Sequence, residues 1–81
     1  MRVRVKLFAA LREAVGQSAL ELDLPEGSRV EEAWSALVRS YPSLTSRRGS
    51  LSAAVNRSYV PFDAPLAEGD EAAFIPPVSG G

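Results

Sequence analysis

The residues of this sequence best suited to chemistry are its last two, Gly80 and Gly81. Glycine has no Cβ, so a Gly-Gly end can enter a channel too narrow for any other residue. The reactive group there is the terminal carboxylate of Gly81, which is a poor electrophile because it is negatively charged and has no leaving group. Joining it to AMP supplies a leaving group, and sulfur can then displace AMP to leave a thiocarboxylate.

The segment that leads to these glycines carries no charged side chain, because no charged residue follows Glu71. Pro76 and Pro77 cannot extend a β-ladder, and they hold the chain in extended polyproline geometry. If extended, the six residues from Pro76 onward reach roughly 20 Å. We therefore expect a folded domain over residues 1–75 and an extended tail over residues 76–81.

The sequence contains no cysteine and no histidine. These absences exclude disulfides, thiol nucleophiles, zinc–thiolate sites and the usual general base. We expect no metal site and no cofactor, and we expect that the chain is not itself an enzyme. A partner enzyme would then supply the catalysis at Gly81.

The length of 81 residues and the mass of 8.6 kDa indicate one domain. The formal net charge of −1 argues against binding to nucleic acid or to an anionic membrane through net charge. No apolar run approaches the roughly 20 residues that a membrane span needs. A cytoplasmic location is the expectation.

Two amphipathic strands are predicted near the N-terminus. An apolar residue at every second position marks them, in the sets Val3, Val5 and Leu7 and Leu20, Leu22 and Leu24. Between them, helix-forming residues from Phe8 onward end at Gly16, which suits a left-handed stop. This connection is too short for a parallel crossover, so the two strands are expected to pair antiparallel.

One longer helix is predicted next. Ser28 is the expected N-cap, and Glu31 completes a capping box. Apolar residues then recur at helical spacing until Pro42, and they are Val30, Ala33, Trp34, Leu37, Val38 and Tyr41. Trp34 is expected to anchor the core. Residues 43–50 are predicted to form a polar connector in which Arg47 and Arg48 are solvated.

Three short strands complete the pattern, over residues 51–55, 59–60 and 71–75. Asn56 suits a tight turn between the first two, and residues 68–70 form another turn. With one long helix covering one face, the compact arrangement is a mixed sheet with the N- and C-terminal strands at its centre. The fold class is therefore α+β, in the β-grasp (ubiquitin-like) arrangement.

At this point the sequence resembles the small subunit of molybdopterin synthase, a sulfur-carrier family (the MoaD family) with the β-grasp fold. The resemblance covers essentially the whole chain. Its strongest segments are Leu7-Phe8-Ala9-Ala10-Leu11-Arg12-Glu13, Ala54-Val55-Asn56, Gly69-Asp70-Glu71 and Phe74-Ile75-Pro76-Pro77-Val78-Ser79-Gly80-Gly81. The Pro-Pro-Val-Ser-Gly-Gly ending is the specific element, whereas Ala72 departs from the larger aliphatic residue more common in the family.

The resemblance implies three partners. A ubiquitin-activating-type enzyme adenylates Gly81 with ATP, and a sulfur donor such as a cysteine desulfurase or a rhodanese converts it to a thiocarboxylate. The tail then enters the large subunit of molybdopterin synthase and gives its sulfur to cyclic pyranopterin monophosphate, in molybdenum cofactor biosynthesis. The family's synthase is a heterotetramer.

The same resemblance assigns the site residues. Gly81 carries the acyl adenylate and the thiocarboxylate, and the partner-binding residues are Gly80, Ser79, Val78, Pro77, Pro76, Ile75, Phe74 and Phe8. Strand alternation sends Phe74 and Ile75 to opposite faces, so at most one of them is expected to be exposed. Phe8 fits a core position and a docking position equally well.

Two alternatives remain open from the sequence. The first is a sulfur carrier for thiamine thiazole or for tRNA thiolation, which would use the same chemistry with another acceptor. The second is a β-grasp protein-binding module that uses a sheet face or edge, with an incidental Gly-Gly end. Deletion of Gly81 separates them, because only a carrier depends on that residue.

Overall fold

The secondary structure follows the predicted order, with one additional helix. The computed structural model describes residues 1–77. Its elements are β1 (Arg2–Leu7), α1 (Ala9–Val15), β2 (Ala19–Asp23), α2 (Val30–Ser40), a 3-10 helix (Pro42–Ser50), β3 (Ser52–Val55), β4 (Ser58–Val60) and β5 (Glu71–Ile75). Gly16 ends α1 in the left-handed conformation, at φ 84°, as its sequence position predicts.

The five strands form one mixed sheet in the order β2-β1-β5-β3-β4. β1 pairs antiparallel with β2 and parallel with β5, so the N- and C-terminal strands lie side by side at the centre. β3 pairs antiparallel with both β5 and β4. The predicted α+β fold with the β-grasp arrangement is confirmed.

The core lies between the sheet and its helices. Val3, Val5 and Leu7 are fully or almost fully buried on one face of β1, while Arg4 between them is exposed and Lys6 is half-buried. Trp34 of α2 is also buried, and its ring meets Phe74 of β5 edge-to-face with the ring centroids 5.1 Å apart. Trp34 therefore anchors the core as predicted.

The start of α2 differs from the prediction by one residue. The N-cap is Arg29, and its backbone N–H donates to the Glu32 carboxylate over 2.7 Å. Ser28 is buried before the helix, where its carbonyl accepts the Leu66 N–H over 2.9 Å. Because Arg29 also bridges to Pro65, the chain stays extended through residue 29. The predicted capping box of Ser28 and Glu31 is therefore wrong.

The segment predicted as a polar connector is a 3-10 helix held by two contacts. The side chain of Leu44, a residue of this helix, is completely buried. The Arg48 guanidinium donates to the Glu31 carboxylate over 2.8 Å and lies 3.4 Å from the centroid of the Phe62 ring. This hydrogen bond holds the pKa of Glu31 below its ordinary value. The prediction that Arg48 is simply solvated is wrong, whereas Arg47 is exposed as expected.

Candidate functional site

The predicted tail leaves the fold from the central strand β5. Ile75, the last residue of β5, pairs with Ser52 of β3, and Phe74 pairs with Leu7 of β1. Strands on both sides therefore hold the point of exit. Pro76 is half-buried and Pro77 is exposed. The predicted site residues Val78, Ser79, Gly80 and Gly81 lie outside the described residues, so their roles stay predictions.

Phe74 is a core residue and not a surface residue. Its side chain is 0% exposed and packs between Trp34 and Phe62, whose ring centroids lie 5.1 Å and 5.9 Å away. Strand alternation turns it toward α2 and leaves Ile75 on the opposite face, half-buried. The prediction that Phe74 contacts a partner is therefore wrong for its side chain, and Ile75 occupies the outward position.

Phe8 lies at the surface, so of the two positions that its sequence context allows, the core position is excluded and the docking role stays a prediction. It follows the last residue of β1 and has an extended backbone, at φ −126° and ψ 154°. Its carbonyl accepts the Leu11 N–H over 3.1 Å and so begins α1. The side chain is 40% exposed, and it lies on the same face of the sheet as Ile75.

The sheet face opposite α2 contains a shallow depression beside the exit of the tail. One row crosses four strands in register, and it consists of Lys6, Ala73, Ala54 and Tyr59. Because the two alanines between the long side chains are small, a volume of about 190 Å³ is left above them. We call this the open-face depression, and its lining is Lys6, Phe8, Ala54, Arg57, Tyr59, Glu71, Ala73 and Ile75.

Tyr59 is the residue of this face that sequence reasoning missed. Its side chain is 75% exposed although it is aromatic, whereas the next residue, Val60, is half-buried. Exposed tyrosines are typical of protein interfaces, because the ring offers a large contact area and the hydroxyl can hydrogen-bond. The signal in the sequence was its alternation with Val60 in a short strand.

Two other depressions are larger, but they lie elsewhere. One of about 510 Å³ lies along β3 and β4, between Leu51 and Phe62. Another of about 380 Å³ lies between α2 and the 3-10 helix, with Trp34 and Arg48 in its lining. Of these three depressions, which all lie within residues 1–77, only the open-face depression includes Ile75, from which the tail continues. We therefore place the candidate site there.

The turn between β3 and β4 positions one rim of the open-face depression. Asn56 and Arg57 both have left-handed backbones, at φ 49° and 73°. The Asn56 amide donates to the Asp70 carboxylate and accepts the Glu71 N–H, both over 3.0 Å. Asp70 also accepts the Ala67 N–H over 2.8 Å, so it acts as a turn residue. These bonds hold the turn, and with it Arg57, against the start of β5.

The described residues show neither a metal cluster nor a membrane-spanning helix. Within residues 1–77, no three metal-ligating side chains lie close enough together to hold an ion. None of the helices in that range has the length and apolar character needed to cross a membrane. The open-face depression instead offers an apolar floor between cationic side chains, which is a chemistry suited to recognising another protein.

Comparison with known proteins places the chain in a family. The ThiS family pattern matches residues 5–81. The chain belongs to the ThiS family. This membership agrees with the sulfur-carrier resemblance that the sequence motifs indicate, and it covers the strands that form the open-face depression as well as the Gly-Gly end.

Individual relatives are similar over most or all of their length. The Escherichia coli molybdopterin synthase sulfur carrier subunit is 42% identical, with 98% of this chain and 99% of that protein covered. The Arabidopsis thaliana protein of the same name is 38% identical, over 100% of this chain and 84% of its own length. The crystal structure of SAMP1 from Haloferax volcanii superposes with a TM-score of 0.89 at 34% identity, over all of both chains.

Proposed function

We propose that this chain is a sulfur carrier in molybdenum cofactor biosynthesis, the small subunit of a molybdopterin synthase. One observation carries the proposal. A Pro-Pro-Val-Ser-Gly-Gly end continues from the central strand of a ThiS-family fold that is 42% identical to a named molybdopterin synthase sulfur carrier subunit. The paired strands on both sides of β5 give this end a rigid base.

The chemistry takes place at the Gly81 carboxylate. A carboxylate oxygen attacks the α-phosphorus of ATP in a ubiquitin-activating-type enzyme, and pyrophosphate leaves. The terminal sulfur of a persulfide on a donor such as a cysteine desulfurase or a rhodanese then attacks the acyl carbon, and AMP leaves with the electrons of the broken C–O bond. This joins the carrier to the donor through an acyl disulfide. A second thiol attacks the donor sulfur of that S–S bond, which forms a disulfide on the donor side and releases the carrier. The product is a thiocarboxylate. The carrier itself contributes no catalytic side chain and needs no cofactor or metal.

The carrier that bears the thiocarboxylate docks through the open face of the sheet. Phe8 and Ile75 contact the large subunit, and residues 76–81 enter its active site. There the thiocarboxylate gives its sulfur to cyclic pyranopterin monophosphate. Two carriers serve a dimer of large subunits in a cytoplasmic heterotetramer. Support for docking through this face comes from the exposure of Phe8, the outward position of Ile75 and the depression between them.

An intact-mass measurement tests the carrier chemistry. The chain is incubated with the adenylating enzyme encoded in the same genome, ATP and inorganic sulfide. We expect a shift that corresponds to the replacement of one oxygen by sulfur, and no shift in a variant that lacks Gly81. An unchanged mass, with the same enzyme active on another carrier, would contradict the proposal and leave a β-grasp binding module.

A second candidate function uses the same activated end. The small archaeal modifier protein 1 of Haloferax volcanii is 39% identical over 94% of this chain. A modifier would transfer the acyl group of Gly81 to an amine of another protein, with loss of AMP. Adducts of the chain on other proteins, in place of sulfur transfer to cyclic pyranopterin monophosphate, would favour this function.

A further inference from the structure

Two cations that line the open-face depression form no salt bridge within residues 1–77, in contrast to Arg2 and Arg48. Arg2 lies 3.1 Å from Asp23, and Arg48 lies 2.8 Å from Glu31. Lys6 and Arg57 both line the open-face depression, and within residues 1–77 neither of them forms a salt bridge. Their charges are therefore available to a partner at the place where the tail leaves the fold.

The two cations lie on different sides of the alanine floor. Lys6 is on β1 and Tyr59 is on β4, with β5 and β3 between them in the same row. Three inter-strand spacings separate the ends of that row by roughly 14 Å. Arg57 lies in the turn that leads into β4, near the Tyr59 end. An apolar side chain of suitable size can therefore rest on the floor between two positive groups.

The backbone at Arg57 strengthens this interpretation. Its φ of 73° lies in the left-handed region, where the second residue of such a two-residue hairpin turn is normally glycine. A side chain at this φ is a conformational cost, and nothing within the described fold uses its charge. Strained positions of this kind are concentrated at functional sites. The conformational cost at residue 57 is explained if the Arg57 guanidinium binds a partner.

The local charge contrasts with that of the molecule. Glu71 also lines the depression, so Lys6 and Arg57 leave one net positive charge there. Arg4 on the same face is flanked by Glu71 of β5 and Glu21 of β2 in the strand register, so with Glu21 it adds no further net charge beside the depression. The whole chain has a net charge of −1. A positive docking face on a slightly negative molecule orients the approach of an acidic partner surface.

We propose that Lys6 and Arg57 determine which large subunit this carrier fits. The matching surface of that subunit has a bulky apolar side chain, which fills the open-face depression, and a carboxylate on each side of it, one for Lys6 and one for Arg57. This inference rests on the proposed function. The charge pair gives specificity, since a large subunit with cations at those places would be repelled.

Association kinetics test the proposal with the full chain and the large subunit encoded in the same genome. The open-face variant is Lys6→Glu with Arg57→Glu. The matched control is Arg39→Glu with Arg47→Glu, because both residues are exposed on the helical side and the change in net charge is identical. We expect the open-face variant to associate at least about tenfold more slowly at low ionic strength, and to approach the wild-type rate as salt screens the charges.

A second variant separates a binding role from a structural role. Arg57→Gly removes the charge and suits the left-handed backbone, so we expect an equal or higher thermal midpoint together with slower association. If Arg57 is only a turn residue, the midpoint would change while the association rate would not. That result, or an open-face variant that associates as fast as the control, would overturn the proposal.

Different results would contradict the role of Lys6 and Arg57 and the carrier function. If the wild-type chain acquires a thiocarboxylate and binds the large subunit, but the charge variants bind equally well, only the role of Lys6 and Arg57 is wrong. If the wild-type chain neither acquires sulfur nor binds the large subunit, the carrier function is wrong, and the charge proposal is wrong with it.

Discussion

The two faces of the sheet are built from different kinds of residue, although the same strands supply both. The face toward α2 is filled by large side chains, such as Phe74 and Leu7, which are 0% and 1% exposed. The opposite face has Ala54 and Ala73 at its centre, with Phe8 and Tyr59 exposed around them. One face is packed within the chain, and the other is the face on which we propose that a partner packs.

This difference shows how so small a domain combines stability with presentation of its end. β5 places Phe74 in the core and Ile75 on the open face in consecutive positions. The side chain that holds the strand in the core therefore lies one residue before the side chain that faces outward, which is the one proposed to contact the partner. The core contact keeps the base of the tail in place, and the surface contact can vary in sequence without loss of the fold.

The comparison predicts the largest effect at Phe74. Phe74→Ala should lower the free energy of unfolding by about 3–5 kcal/mol, because it leaves a cavity beside Trp34 and Phe62. Ile75→Ala, the neighbouring change on the open face, should cost less than half of that because Ile75 is only half-buried. Urea denaturation of the two variants measures the contrast. Equal losses would contradict the division of the sheet into two faces.

The second prediction concerns Tyr59 on the open face, where a substitution should weaken binding and leave stability nearly unchanged. Tyr59→Ala should weaken binding to the large subunit by about 1–2 kcal/mol, or roughly 5–30-fold, because an exposed aromatic contact is lost. The free energy of unfolding should change by no more than about 0.5 kcal/mol, since the side chain is 75% exposed.

Titration calorimetry and urea denaturation of the same Tyr59 samples provide the two measurements. Ser43→Ala, an exposed change on the helical side, is the control and should alter neither quantity. A Tyr59→Ala variant that loses stability but binds normally would place Tyr59 among the structural residues and would remove it from the docking face.

Local sequence patterns were sufficient for much of the fold. The alternation of Val3, Val5 and Leu7 predicted both the strand and its buried face, and Gly16 predicted the end of α1. The chemistry proposed at Gly81 also follows from local features, since residue type and position in the chain suggest it without a structure. Patterns of this kind depend on residues that are close in sequence.

Features that depend on distant residues were missed or misplaced. The start of α2 shifted because Arg29 bridges to Pro65, and the 3-10 helix depends on Leu44 and on the contact of Arg48 with Phe62. The open-face depression requires the register of four strands, which brings Lys6, Ala73, Ala54 and Tyr59 into one row. No single segment of the sequence contains that information.

A third prediction concerns Asn56 in the turn between β3 and β4, which positions one rim of the open-face depression. Asn56→Ala should cost about 1–2 kcal/mol, because it removes two side-chain hydrogen bonds to residues 70 and 71 and places alanine at φ 49°. Asn56→Gly keeps the backbone conformation and loses only the hydrogen bonds, so it should cost less than Asn56→Ala.

Thermal unfolding ranks the two Asn56 variants against the wild type. Asp70→Ala removes the other end of one of these bonds, so its effect combined with Asn56→Ala should be less than additive. Strict additivity would show that the two side chains act independently, and the turn would then not be held by their contact.

The smallest expected effect is at the ion pair of Glu31 and Arg48, which borders the packed side of the molecule. The hydrogen bond from Arg48 lowers the pKa of Glu31 in the folded chain below its ordinary value of 4.5. A carboxyl group whose pKa is depressed stabilises the fold above its unfolded pKa, and this contribution is lost as the pH falls through the folded pKa. Because both side chains are about 40% exposed, the contribution is only about 0.2–1 kcal/mol.

Glu31→Gln should therefore lower stability by that amount near pH 7 and should have little effect near pH 3, as measured by urea denaturation at both values. A difference from the wild type that is the same at both pH values would show that the loss comes from packing around the 3-10 helix and not from the charge of Glu31.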